Sequence, residues 1–109
     1  MKWFKLDTDL PEQDFINVFK VNGKKICLIR NQGKLHAVQN RCPHAGGILS
    51  NGWCDNGNIV CPIHRYEYDL ETGRGAAAQR DYIDIYPVEE RSDGIYIGMK
   101  ESFWKRLFS

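Results

Sequence analysis

The sequence predicts an all-β protein, a small antiparallel sandwich or partly open barrel with an inserted middle segment and a short C-terminal helix. Three observations predict it. Short apolar runs recur along the chain, turn-forming pairs such as Asn-Gly separate them, and one central stretch, 40–60, is so rich in glycine and asparagine that it interrupts the strands. With 109 residues there is room for one modest core, so a single domain over 1–109 is expected.

The elements follow in order. Residues 15–21 are aromatic and β-branched, Asn22-Gly23 favours a tight turn, and 24–30 resume with Ile26, Cys27, Leu28 and Ile29, which reads as a hairpin. A second turn at 31–33 leads into 35–39, where Leu35 and Ala37 alternate with His36 and Val38, as in an antiparallel strand with one face toward a core. From 40 to 60 only Ile48-Leu49 and Ile59-Val60 are apolar, and such a stretch needs something local to hold it. A short strand is expected at 66–68, a turn at 71–73, and further β structure at 82–90 and 94–99. Only 101–109 looks helical. Phe103 and Leu107 are four apart, as are Trp104 and Phe108, and Lys105 and Arg106 suit the C-terminal end of the helix dipole. Nine residues are too few for a helix to persist alone in water, so this segment is expected to dock on its own domain, with self-association or a partner or membrane surface as the alternatives.

Composition excludes several function classes. Apolar residues make up 42% and charged residues 27%, with a formal net charge of +1, as in an ordinary folded protein. No basic stripe interleaved with aromatics is present, so no nucleic-acid partner is expected. The first residues reach Asp7, Asp9 and Pro11 without the apolar run of a secretory signal, and no stretch approaches the about 20 apolar residues of a membrane helix. No transmembrane segment and a cytoplasmic location are the expectations, and they make metal or redox chemistry a better use for four cysteines than disulfides.

Two motifs carry that chemistry: N-R-C-P-H-A-G-G at 40–47 and I-V-C-P-I-H-R-Y-E-Y-D-L at 59–70. Cys42 and His44 stand one residue apart, Cys61 and His64 two apart, and sixteen residues separate the pairs. Pro43 and Pro62, with Gly46 and Gly47, suit rigid loops that turn each pair toward a common point. One zinc ion would accept the four donors tetrahedrally. A two-iron cluster would use them as Cys42 and Cys61 on one iron and His44 and His64 on the other, with bridging sulfides completing both shells. Structural zinc sites more often pair their cysteines in one loop, whereas here each loop supplies one of each kind. Iron-sulfur, zinc and no metal all remain open from spacing, in that order.

The motifs C-P-H-A-G-G, C-P-I-H and, further on, Y-D-L-E-T-G resemble those of the Rieske [2Fe-2S] ferredoxins, which include ferredoxin components of ring-hydroxylating oxygenases and small subunits of assimilatory nitrite reductases. The resemblance implies one Rieske-type [2Fe-2S] cluster in a cluster-binding subdomain at about 40–80 of the chain. It implies that Cys42 and Cys61 hold a buried iron and His44 and His64 an outer one near the surface. It also implies one-electron transfer between a redox donor and a redox acceptor, such as a reductase and an oxygenase, with no bond-making chemistry by this chain. An oxygenase catalytic chain needs a further iron site, commonly two histidines and a carboxylate, and only His36 would remain for it.

Several positions depart from relatives. High-potential respiratory members bridge their loops with a disulfide whose positions correspond here to Gly47 and Ile63, so that bridge is absent. Tyr66 replaces a serine that stands near a bridging sulfide, while Tyr68 matches an aromatic residue whose hydroxyl approaches a cysteine sulfur. Fewer donors imply a potential low in the Rieske range. Arg65 replaces a common glycine, and either favours an acidic docking surface or is simply solvated. No proline interrupts R-G-A-A-A-Q-R at 74–80, where relatives carry a covering proline segment. Gly46 and Gly47 are expected to let backbone N–H groups approach the cluster sulfurs where a Cβ would intervene. Cys27 reads as buried, Cys54 as semi-exposed with a disulfide to Cys27 left open, His36 as a strand residue, and Trp3 and Trp53 as packing residues.

Overall fold

The computed structural model describes residues 1–44, 46–76 and 79–100. Among the described residues ten strands follow in order: β1 (Lys2–Leu6), β2 (Phe15–Val21), β3 (Lys24–Asn31), β4 (Lys34–Gln39), β5 (Trp53–Asp55), β6 (Asn58–Val60), β7 (Glu67–Asp69), β8 (Ile85–Tyr86), β9 (Val88–Arg91) and β10 (Gly94–Met99). They form three antiparallel sheets, ordered β1-β10-β9, β2-β3-β4-β8 and β5-β6-β7. The C-terminal helix expected at 101–109 falls outside the described residues.

Three two-residue turns set the registers. Asn22-Gly23, Gln32-Gly33 and Asn56-Gly57 all have positive φ at both positions, the type I′ geometry whose twist matches that of the flanking strands. The Asp14 carboxylate accepts hydrogen bonds from the Gln32 and Gly33 amides at 2.9 and 3.3 Å, tying the start of β2 to the second of these turns.

The β2-β3-β4-β8 sheet lies between two cores. On one side Ile26, Leu28, Ala37 and Tyr86 meet Leu6, Val21, Ile97 and Met99; on the other, Cys27, Ile29 and Val38 meet Cys42, Leu49, Ile59, Cys61, Tyr68, Leu70 and Ile83. The expectation that 35–39 buries one face is therefore corrected: Leu35, His36, Ala37 and Val38 are all buried, because other elements pack on both sides of the strand. His36 sits on the second side with its imidazole bonded to the Leu70 backbone.

The middle stretch also contains more structure than its composition predicts. It holds the β5-β6 hairpin and a 3-10 turn at Leu49–Asn51, with Leu49 fully buried. The run expected at 82–90 is split at Pro87 into β8 and β9, since proline has no N–H for a ladder, although its carbonyl still accepts from Gly98 at 2.9 Å. Trp53, expected to pack, is 43% exposed on β5. Trp3 on β1 is half-buried and faces the Arg91 guanidinium, 5.4 Å from its ring.

Candidate metal centre

Each Cys-His loop is closed by its own backbone. In the first, Cys42 N–H donates to Gly47 O at 2.7 Å and Gly46 N–H to Cys42 O at 2.9 Å; in the second, Cys61 N–H donates to Tyr66 O at 2.7 Å. His64 and Arg65 are consecutive left-handed residues, φ 62° and 55°, which reverse the chain within the second loop. A Cβ disfavours that conformation and glycine does not, so Arg65 is held there at some cost.

The donors segregate by depth. Cys42 and Cys61 are buried, 1% and 0% exposed, against the core that contains Leu49, Ile59 and Tyr68. His44 and His64 lie in the exposed ends of the loops, with ring centroids 6.4 Å apart and planes at 80°. The Cys61 thiol is pushed up by burial, with the backbone N–H of Ile63 acting in the opposite direction and Cys42 beside it adding to the rise. The two thiols thus stand together beneath two exposed imidazoles.

This division fits a two-iron cluster. A single tetrahedral zinc would ask all four donors to converge on one point. A cluster that takes two protein donors per iron asks only for a cysteine pair and a histidine pair. The small residue between the loops fits as well: a Cβ on Gly47 would lie 2.9 Å from Cys61 Sγ and 3.0 Å from Ile63 Cδ1. Gly46 makes a further demand of its own. Its N–H is spent on Cys42 O and a Cβ there would meet nothing within 4 Å, so its φ of 67° is what asks for glycine.

The two tyrosines act on different donors. Tyr66 stacks on the His44 imidazole, centroids 3.9 Å apart and planes 13° from parallel. Tyr68 is fully buried with its hydroxyl 3.4 Å from Cys42 Sγ, where the matching aromatic position places it, and donates to Asp81 Oδ2 at 2.7 Å. Burial first, then these two neighbours, hold its phenol well above the ordinary range. Asp81 was not legible as part of the site, because a lone carboxylate after a small-residue loop carries no motif.

The other cysteines and the third histidine lie apart from this centre. Cys27 is buried in β3 and its thiol is pushed up to about 12 by burial and by nearby Cys54, which is half-buried in β5. All four cysteines are without disulfides, so no Cys27–Cys54 bridge is formed. His36 contributes to the fold, on β4.

Comparison with known proteins agrees with this geometry. Residues 2–87 match the family model described as a Rieske [2Fe-2S] domain. The ferredoxin component of naphthalene 1,2-dioxygenase/salicylate 5-hydroxylase systems from Ralstonia sp is 34% identical over 94 residues, covering 84% of this chain and 88% of that protein. The ferredoxin of carbazole 1,9a-dioxygenase from Nocardioides aromaticivorans IC177 superposes with a TM-score of 0.72 at 25% identity, over 92% of this chain and 97% of that one. A chain described as the small subunit of an NADH-dependent nitrite reductase from Mycobacterium tuberculosis shares the fold, with a TM-score of 0.71 at 24% identity over 91% and 96% of the two chains.

Proposed function

The chain belongs to the Rieske [2Fe-2S] family, and from that premise we propose that Cys42, Cys61, His44 and His64 are its cluster ligands and that it carries single electrons from a reductase to a terminal oxygenase. The cofactor is one Rieske-type cluster, which supplies a one-electron ferric/ferrous couple. It works as a carrier, not as a catalyst. The observation that carries the ligand assignment is the vertical split between a buried thiol pair and an exposed imidazole pair.

The chain's own residues divide the remaining work. Leu49, Ile59 and Tyr68 surround the thiols and keep water from them. His44 and His64 lead to the surface, where Pro43, Pro62 and Arg65 are exposed and Ile63 is 42% exposed. An apolar tip with one cation beside it suits a brief encounter with an apolar, acid-rimmed partner face. Neutral imidazoles on the outer side favour placing the added electron there, next to the docked partner. The oxygenase reading is preferred because sequence identity to a ferredoxin component reaches 34%, whereas the nitrite reductase subunit shares the fold alone. Among the described residues no helix is long and apolar enough to cross a membrane; the likeness to ferredoxin components of oxygenase systems supports placing the protein in the cytoplasm.

The test is transfer itself. Protein reduced by a ferredoxin reductase should pass its electron to a ring-hydroxylating oxygenase, and Ile63→Glu should slow that transfer severalfold while leaving the visible spectrum unchanged. Equal rates for Ile63→Glu and the parent would remove this tip as the docking face.

A further inference from the structure

The Tyr68 hydroxyl owns one hydrogen and stands between two acceptors. Its oxygen is 2.7 Å from Asp81 Oδ2 and 3.4 Å from Cys42 Sγ. A protonated Cys42 can donate to the phenol oxygen, so both contacts are satisfied at once. A Cys42 thiolate bound to iron has no hydrogen to give, and the sulfur and the carboxylate then compete for the one on Tyr68.

We propose that Asp81 wins this competition, withholding the Tyr68 hydrogen from Cys42 and so keeping the cluster's reduction potential low. The inference rests on Cys42 being an iron ligand. Three features support the outcome. An ionised carboxylate is a stronger acceptor than a thiolate whose charge is shared with a metal, and O–H···O⁻ bonds run about twice the strength of neutral ones. The carboxylate is also held in place: Gln79 Nε2 reaches Asp81 Oδ1 at 3.4 Å, while Gln79 Oε1 accepts from the Glu67 amide at 3.1 Å. Finally, Gly75 N–H donates to Asp81 O at 3.1 Å, and a Cβ on Gly75 would come within 2.9 Å of that oxygen and of Gln79. Gly75 and Gln79 therefore help to hold the Asp81 carboxylate beside Tyr68.

The consequence for electron uptake has one sign. A donor to the Cys42 sulfur would stabilise the negative charge gained on reduction; directing that donor elsewhere removes the stabilisation, and a nearby carboxylate opposes the added charge further. Asp81 is thus a positioning residue, acting on the cluster through Tyr68.

A double-mutant cycle tests it, read as midpoint potentials from redox titration followed by visible circular dichroism. Asp81→Ala should shift the potential upward, Tyr68→Phe alone should not lower it, and Asp81→Ala should shift it less in the Tyr68→Phe background. Asp81→Asn keeps an acceptor without the charge and should give a smaller upward shift, which carries the test if the alanine variant does not fold. A potential lowered by Tyr68→Phe would overturn the proposal, since the hydroxyl would then be donating to sulfur. So would equal Asp81→Ala shifts in both backgrounds, or Asp81→Asn at or below the parent. Iron and acid-labile sulfide are assayed on every sample; their absence from the parent after reconstitution would instead refute the ligand assignment.

Discussion

The ring of Tyr66 lies flat on the imidazole of His44, 3.9 Å between centroids. A residue in the turn after one Cys-His pair thereby fixes the histidine of the other pair. An offset aromatic pair contributes about 0.5–1.5 kcal/mol beyond its buried area. Tyr66→Ala should therefore shorten the half-life of the visible chromophore several-fold on incubation with a chelator, while Tyr66→Phe keeps the parent value. A Tyr66→Phe variant as labile as the alanine one would show that the hydroxyl matters and the stacking does not.

The two loop glycines should separate by mechanism. Gly47→Ala places a Cβ 2.9 Å from Cys61 Sγ and should sharply lower iron and sulfide content. Gly46→Ala meets no protein atom within 4 Å and carries a left-handed penalty of about 1 kcal/mol, so it should lower the melting temperature slightly and lose less iron than Gly47→Ala. Elemental analysis of the two purified variants checks the contrast.

Arg65 occupies left-handed backbone at φ 55° and is exposed. Arg65→Gly should stabilise the folded protein by up to about 1 kcal/mol, the relief of backbone strain being partly offset by the greater freedom of the unfolded chain. Chemical denaturation measures this directly. A loss of stability would mean that the guanidinium makes a contact worth more than the strain.

His36 gives the fold a pH dependence of definite sign. Burial lowers its folded pKa below the ordinary 6.5, with Lys34 acting in the same direction and Glu71, Asp69 and the Leu70 carbonyl acting against. Above the unfolded value both states are neutral and the fold loses nothing. As pH falls through that value the unfolded chain takes up a proton that the folded chain resists, so stability declines toward the folded pKa. Denaturation midpoints between about pH 7.5 and 5.5 should fall for the parent and fall less for His36→Gln.

Much of this was legible in the sequence. Asn22-Gly23 announced its hairpin, the 94–99 strand has the bounds its pattern suggests, and the Cys-His motifs marked the two loops proposed as the metal centre. What stayed hidden depended on contacts distant in sequence. The strand at 35–39 looked half-exposed because alternation describes one sheet face, whereas the other face is covered by residues 42–83. The hairpin at 53–60 was read as turns because three-residue strands show no period. Strand β1 was missed because M-K-W-F-K alternates weakly and gains its pairing only from β10 at the far end. Asp81 and the Tyr66 stacking are likewise products of folding: neither spacing nor residue type links 81 to 68, or 66 to 44.

We propose that two buried cysteines and two exposed histidines hold one two-iron cluster. Pulsed EPR of the reduced protein, prepared with ¹⁵N-labelled histidine, tests it most directly alongside iron and sulfide analysis. The expected result is two iron and two sulfide per chain and hyperfine coupling to two histidine nitrogens, with His44→Ala and His64→Ala each abolishing the native signal. A reconstituted protein holding one zinc and no sulfide, or a cluster signal without histidine nitrogen coupling, would contradict it.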